Sequence, residues 1–191
     1  VDKNQHLLRR ATHIFGLHAT LVYYLIPSTI FYTRIDKNYA MLIFLICVLE
    51  FEYIRVTKNW QIPGIRPYEK YRFSAVFWTA TGLFICYIMC PEYIGIPTVL
   101  SLAWIDPLMG ELRNKRMNYF WLYGLCISFS IFLCFMLWLS RMQIWQCIAL
   151  SLIASILCVL CETKKNYYID DNFLMLVVPS IVVMCILTFV F

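Results

Sequence analysis

Long apolar runs, separated by short polar stretches, take up most of this chain. They fall at roughly 13–34, 39–57, 72–89, 93–110, 119–140, 144–161 and 173–191. Each run is continuous, with no alternation of apolar and polar positions. Such runs suit helices dissolved in lipid, whereas the strands of a membrane β-barrel read as short alternating segments. The fourth run contains Pro97 and is expected to end at Asp106-Pro107. Prolines in membrane helices are tolerated where neighbours satisfy the freed carbonyl, and such breaks often line a cavity. The pattern therefore predicts an all-α, polytopic membrane protein of about seven transmembrane helices, forming one domain over 1–191. No internal repeat or low-complexity segment interrupts it. The run after Arg10 lacks a small-residue cleavage site, so a cleaved leader is not expected.

Composition narrows what such a chain can do. Hydrophobic residues make up 62% of it and charged residues 14%, with a mean hydropathy of +0.71. A soluble domain is nearer about half apolar and a quarter charged. No length is left for a soluble catalytic domain, so any chemistry belongs to the membrane rim. The net charge of +5 does not imply nucleic acid, because its distribution has another cause. With seven spans, Lys3, Arg9, Arg10, Arg55, Lys58, Arg66, Lys70, Arg72, Arg113, Lys115, Arg116, Lys164 and Lys165 share one side. Only Arg34, Lys37 and Arg141 face the other. That asymmetry predicts a cytoplasmic N-terminus. The nine cysteines sit in or beside apolar runs and read as packing residues, and Cys158-x-x-Cys161 has no second pair to complete a zinc site.

Acids gather on the basic side although they do little to set orientation. Glu52, Glu69, Asp106, Glu111, Glu162, Asp170 and Asp171 lie there, against Asp36 and Glu92 opposite. Acids and bases converging on one rim suit a metal-bound, phosphorylated ligand. Arg9, Arg10 and His13 open the first run. The arginines anchor a span end, and a histidine one turn inside needs a partner. Glu52 and Arg55 share a helix face and can pair, while Glu50 lies deeper and is costlier to bury. The loop over 62–72 turns at Pro63-Gly64 and presents Arg66, Lys70 and Arg72 with two tyrosines. It reads as an interfacial belt or as a phosphate or headgroup site.

The stretch over 106–116 is the most specific. A carboxylate at the end of an apolar helix is expensive unpaired, and Mg²⁺ takes carboxylates and phosphate oxygens together. Asp106, with Glu111, is a candidate ligand. Gly110 permits close approach to the backbone. Arg113, Lys115 and Arg116 offer charge to a polyphosphate. Glu162, Lys164, Asp170, Asp171 and Asn172 resemble a second metal or base site. Each of these stretches also reads as a plain charged loop or turn.

Together these residues resemble the CTP-dependent lipid-alcohol kinases: dolichol kinase, phytol kinase and yeast-type diacylglycerol kinase. The likeness lies in Arg9-Arg10-x-x-His13, in Glu52 to Arg55, in Asp106 with Gly110, and in Glu162, Asp171, Asn172 and Pro179. It is a divergent likeness, since Ile105 stands where many members carry glycine and Glu111-Leu112-Arg113 replaces the usual continuation. The resemblance implies phosphoryl transfer from CTP or another nucleoside triphosphate to a membrane lipid alcohol at the cytoplasmic face. It implies Mg²⁺ on Asp106 and Asp171, and Glu162 as ligand or base. It also implies polyphosphate contacts from Arg113, Lys115, Arg116 and Lys164. A phosphatidate cytidylyltransferase-like enzyme is the near rival, echoed by Asp106, Glu111, Lys115 and Arg116. A non-enzymatic seven-helix transporter or structural subunit is the rival of another class. A transporter would carry polar residues at mid-membrane, whereas the charges here sit at one rim.

Overall fold

A computed structural model describes residues 11, 14–26, 29–30, 35–60, 62, 67–163 and 169–190. The chain is helical almost throughout. The helices are α1 Ile14–Leu25, α2 Lys37–Thr57, α3 Ala75–Met89, α4 Glu92–Asn114, α5 Phe120–Leu139, α6 Ile144–Thr163 and α7 Asp171–Phe189. A two-residue antiparallel ladder, β1 Thr29–Ile30 with β2 Ile35–Asp36, links α1 to α2. Four helices, α4 to α7, are long and apolar enough to cross a membrane. Helix α2 has the length but carries Glu50, Glu52 and Arg55 in its C-terminal half. Helices α1 and α3 are apolar but shorter.

Two helix boundaries differ from the sequence expectation. The first run was expected to stay helical to residue 34, but α1 stops at Leu25 and Ile26 is extended at φ −78°, ψ 133°. Pro27 follows Ile26, and a proline disfavours α geometry in the residue before it. The fourth run was expected to end at Asp106-Pro107. Instead α4 continues to Asn114 with both Pro97 and Pro107 inside it. Asp106 therefore lies on a helix, about two turns before its end. The following turn is set by Arg116 and Tyr119, both at positive φ.

Helix α7 is central, packing against α6, α3 and α4, while α5 lies between α4 and α6. Helix α2 is peripheral and leans on α3 and β2. One apolar core joins Leu17, Leu83, Leu102, Ile105, Met109 and Leu176; a second joins Cys86, Ile94, Phe132, Met136, Cys158 and Val183. Cys86, Cys90, Cys147 and Cys158 are buried in the second core, and no disulfide joins any of the nine cysteines. Hydroxyl pairs cross the helix contacts, Ser128 to Ser101 at 3.3 Å and Ser180 to Thr98 at 3.4 Å. Such pairs are worth about 0.6 kcal/mol each within a membrane.

The outer surface is apolar. Along α6, Ile144, Ile148, Leu152, Ile156 and Leu160 form an exposed stripe at four-residue spacing. On α2 the polarity is inverted: Glu52 and Arg55 are buried, while Leu49, Phe51, Tyr53 and Ile54 are exposed. Water does not sustain apolar faces of this extent, whereas lipid solvates them.

Candidate functional site

The antiparallel hairpin of α6 and α7 sets Glu162, one residue from the end of α6, beside the first turn of α7. Asp170 caps that turn, its Oδ1 accepting the Asn172 N–H at 3.1 Å. An aspartate in this position satisfies an N–H the helix leaves open, and acids there suit the helix dipole. Asp171 and Asn172 are buried, and the Asn172 side-chain amide donates to Thr79 Oγ1 of α3 at 3.1 Å. Helix α4 brings a third strand of chemistry to this end of the bundle. From its last turn, Arg113 Nη2 donates to Glu162 Oε1, and its guanidinium lies over the Phe120 ring at 5.4 Å. Asp106 and Asp171 both act electrostatically on Glu162.

Glu162 is the centre of this group. It is 2% exposed, and its second oxygen, Oε2, accepts no hydrogen bond from any described residue. A buried carboxylate oxygen left so is costly, and natural cases call for a role or a ligand. The oxygen donors are hard, which suits Mg²⁺. Among the described residues no three His, Cys, Asp or Glu side chains form a ready metal cage. Mg²⁺ does not require one, because it usually takes one or two carboxylates and completes its shell with water and substrate phosphates.

No family model, curated protein or solved structure matches the chain.

The remaining candidates divide by place. Gly110 faces open space, where an added Cβ would meet nothing within 4 Å. Glu111 and Lys115 approach to 3.8 Å on the outer side of α4, and Arg116 is exposed just beyond it. Arg10, His13, Arg66 and Lys164 lie outside the described residues.

Glu52 and Arg55 pair as their spacing predicts, with Arg55 Nη2 to Glu52 Oε2 at 2.8 Å. Their neighbours show what the pair does. Arg55 also donates to the carbonyls of Glu69 and Arg72, at 3.1 and 2.6 Å. Glu52 accepts from the Ser74 N–H at 3.0 Å and the Ser74 hydroxyl at 2.8 Å. The pair thus straps the 3₁₀ turn Pro67–Tyr71 and the start of α3 onto α2. Ser74 and Thr79 were missed in the sequence. A serine directly before the apolar run from Ala75 is an N-cap signal and marks Ser74, whereas nothing local marks Thr79.

Proposed function

We propose that this protein is a membrane-embedded lipid-alcohol kinase, transferring the terminal phosphoryl group of a nucleoside triphosphate, CTP by resemblance, to a polyprenol, isoprenoid alcohol or diacylglycerol. The observation that carries this reading is the meeting of Asp106, Arg113, Glu162 and Asp171 from three helices at one end of the bundle, with Glu162 Oε2 buried and unpartnered among the described residues. Phosphoryl transfer needs positioning and charge neutralisation more than covalent catalysis, and this group offers both.

In the reaction, the lipid hydroxyl oxygen bonds to the terminal phosphorus as the bond from that phosphorus to the bridging oxygen breaks. The nucleoside diphosphate leaves, and the hydroxyl proton passes to Glu162 Oε2. Arg113 holds Glu162 through its other oxygen, which aims Oε2 and keeps an acceptor in place at low solvent exposure. Asn172, fixed on Thr79, sets the start of α7 and with it Asp171. Asp106 and Asp171 would hold Mg²⁺, which supplies shielding of the phosphate charge. Lys115 and Arg116, exposed past the end of α4, are placed to meet the polyphosphate from the aqueous side.

We read all seven helices as spans and the clustered rim as cytoplasmic. The charge asymmetry of the loops and the lipid-suited face of α2 support this. Helices α1 and α3 cover about 18 and 22 Å of a hydrocarbon core of about 30 Å, and a span that short is accommodated by local thinning of the bilayer.

The test is purified protein in liposomes with γ-labelled CTP or ATP, Mg²⁺ and a panel of polyprenols, isoprenoid alcohols and diacylglycerol. Label should enter one lipid class and fall about a hundredfold or more in Asp106→Ala. A CDP-lipid with released pyrophosphate would instead make this a cytidylyltransferase. No turnover with any pair would return the chain to the transporter or structural reading.

A further inference from the structure

The C-terminal half of α2 has two working faces. Glu52 and Arg55 turn inward to the strap, whereas Leu49, Glu50, Tyr53 and Ile54 lie on the opposite side, joined by the three- and four-residue spacings of Leu49 with Tyr53 and of Glu50 with Tyr53 and Ile54. With Phe73, which precedes α3, these four line a cleft of about 400 Å³. It is open on one side and large enough for a segment of one hydrocarbon chain. All five side chains belong to the exposed surface of the bundle, and four are apolar or aromatic. Glu50 is the exception, and among the described residues no hydrogen bond or ion pair secures its carboxylate. A carboxylate bordered by lipid is costly unless a donor meets it.

The cleft is also connected to the candidate site. Phe73 stacks on Phe77 with centroids 4.4 Å apart, Phe77 meets Trp78 at 5.7 Å, and Trp78 meets Phe173 at 5.4 Å. Phe173 directly follows Asp171 and Asn172 on α7. A continuous aromatic row thus runs from the cleft to the carboxylate group.

We propose that this cleft is the lateral docking site of the lipid alcohol. The hydroxyl donates to Glu50, the chain lies on Leu49, Ile54 and Phe73, and the aromatic row leads inward. Resting on the lipid-alcohol reading above, this assigns Glu50 a selective role. It accepts a neutral hydroxyl and repels an anionic headgroup, so anionic phospholipids and the phosphorylated product are turned away from the same door.

The experiment uses the full chain in liposomes, without nucleotide, and farnesol carrying a photoreactive diazirine. Saturable labelling, displaced by plain farnesol, should map to 49–54 and Phe73, and Ile54→Trp should remove it. Farnesyl phosphate should displace the probe about fivefold less well than farnesol, and Glu50→Gln should erase that difference. Saturable labelling elsewhere, or none, overturns the assignment, as does unchanged discrimination in Glu50→Gln. The two proposals fail separately. Saturable labelling of the cleft in a protein that phosphorylates no alcohol leaves the docking site standing and ends the kinase. Phosphoryl transfer at unchanged KM in Ile54→Trp, with label elsewhere, does the reverse.

Discussion

At the scale of single residues, the ion pairs divide by burial. Arg55 is 0% exposed and Glu52 is 1%. Glu52→Ala should strip Arg55 of its carboxylate and orphan both Ser74 donors, costing about 3–5 kcal/mol. Thermal unfolding in detergent should show it as a large fall in midpoint. The Arg113 side chain is 35% exposed against 2% for Glu162, so the harm in losing Arg113 lies mostly in what it leaves behind. Arg113→Ala should cost about 2 kcal/mol, and adding Glu162→Ala should restore much of that loss. Additive losses in the double variant would mean the two do not act as a pair. Asp171→Asn keeps the shape of the first turn of α7, so turnover should fall about a hundredfold with little change in unfolding temperature. A parallel fall in both would make Asp171 a structural residue. Sequence reasoning reached Glu52–Arg55 because the partners are three apart on one helix. It grouped Asp106, Glu162 and Asp171 by resemblance. It did not reach Arg113–Glu162 or Asn172–Thr79, which are 49 and 93 residues apart, because helix packing creates those contacts.

At the scale of elements, each of the apolar runs became a helix, since hydrophobicity sustained over some twenty residues has few other solutions in lipid. The ends were harder to read. Pro27 stopped α1 early, whereas Pro107 did not stop α4, and the two prolines look alike in the sequence. Contacts between helices depend on small residues at close approach. The Tyr24 ring lies against Gly95, where an added Cβ would fall 2.6 Å from the ring carbon that carries the hydroxyl. That tyrosine also donates to the Cys90 carbonyl at 3.5 Å and packs edge-on against Tyr87. Gly95→Val should therefore push α1 off α3 and α4, costing about 1–3 kcal/mol. Limited proteolysis should then cut between α1 and α2 sooner than in the parent. An unchanged cleavage pattern would mean that α1 is held by other contacts.

At the scale of the whole molecule, orientation is the property to measure, because the proposed kinase needs its carboxylate group on the side that supplies nucleotide. Asn118→Cys and Gln143→Cys place reporters in the turns at opposite ends of α5. A membrane-impermeant maleimide should reach Gln143→Cys in intact cells and Asn118→Cys only after permeabilisation, once any reactive native cysteines are replaced. The reverse pattern would put the carboxylate group outside, away from cytoplasmic CTP. The strap between α2 and α3 also bears on how the chain is made. Glu52 meets Arg55 within its own helix, but its remaining donors come only when Ser74 arrives, 22 residues later in synthesis. On the seven-span reading, α2 emerges from the ribosome carrying carboxylates that the bilayer core rejects. Helices α2 and α3 then enter the membrane as a hairpin, with the insertion machinery sheltering the first until the second is born.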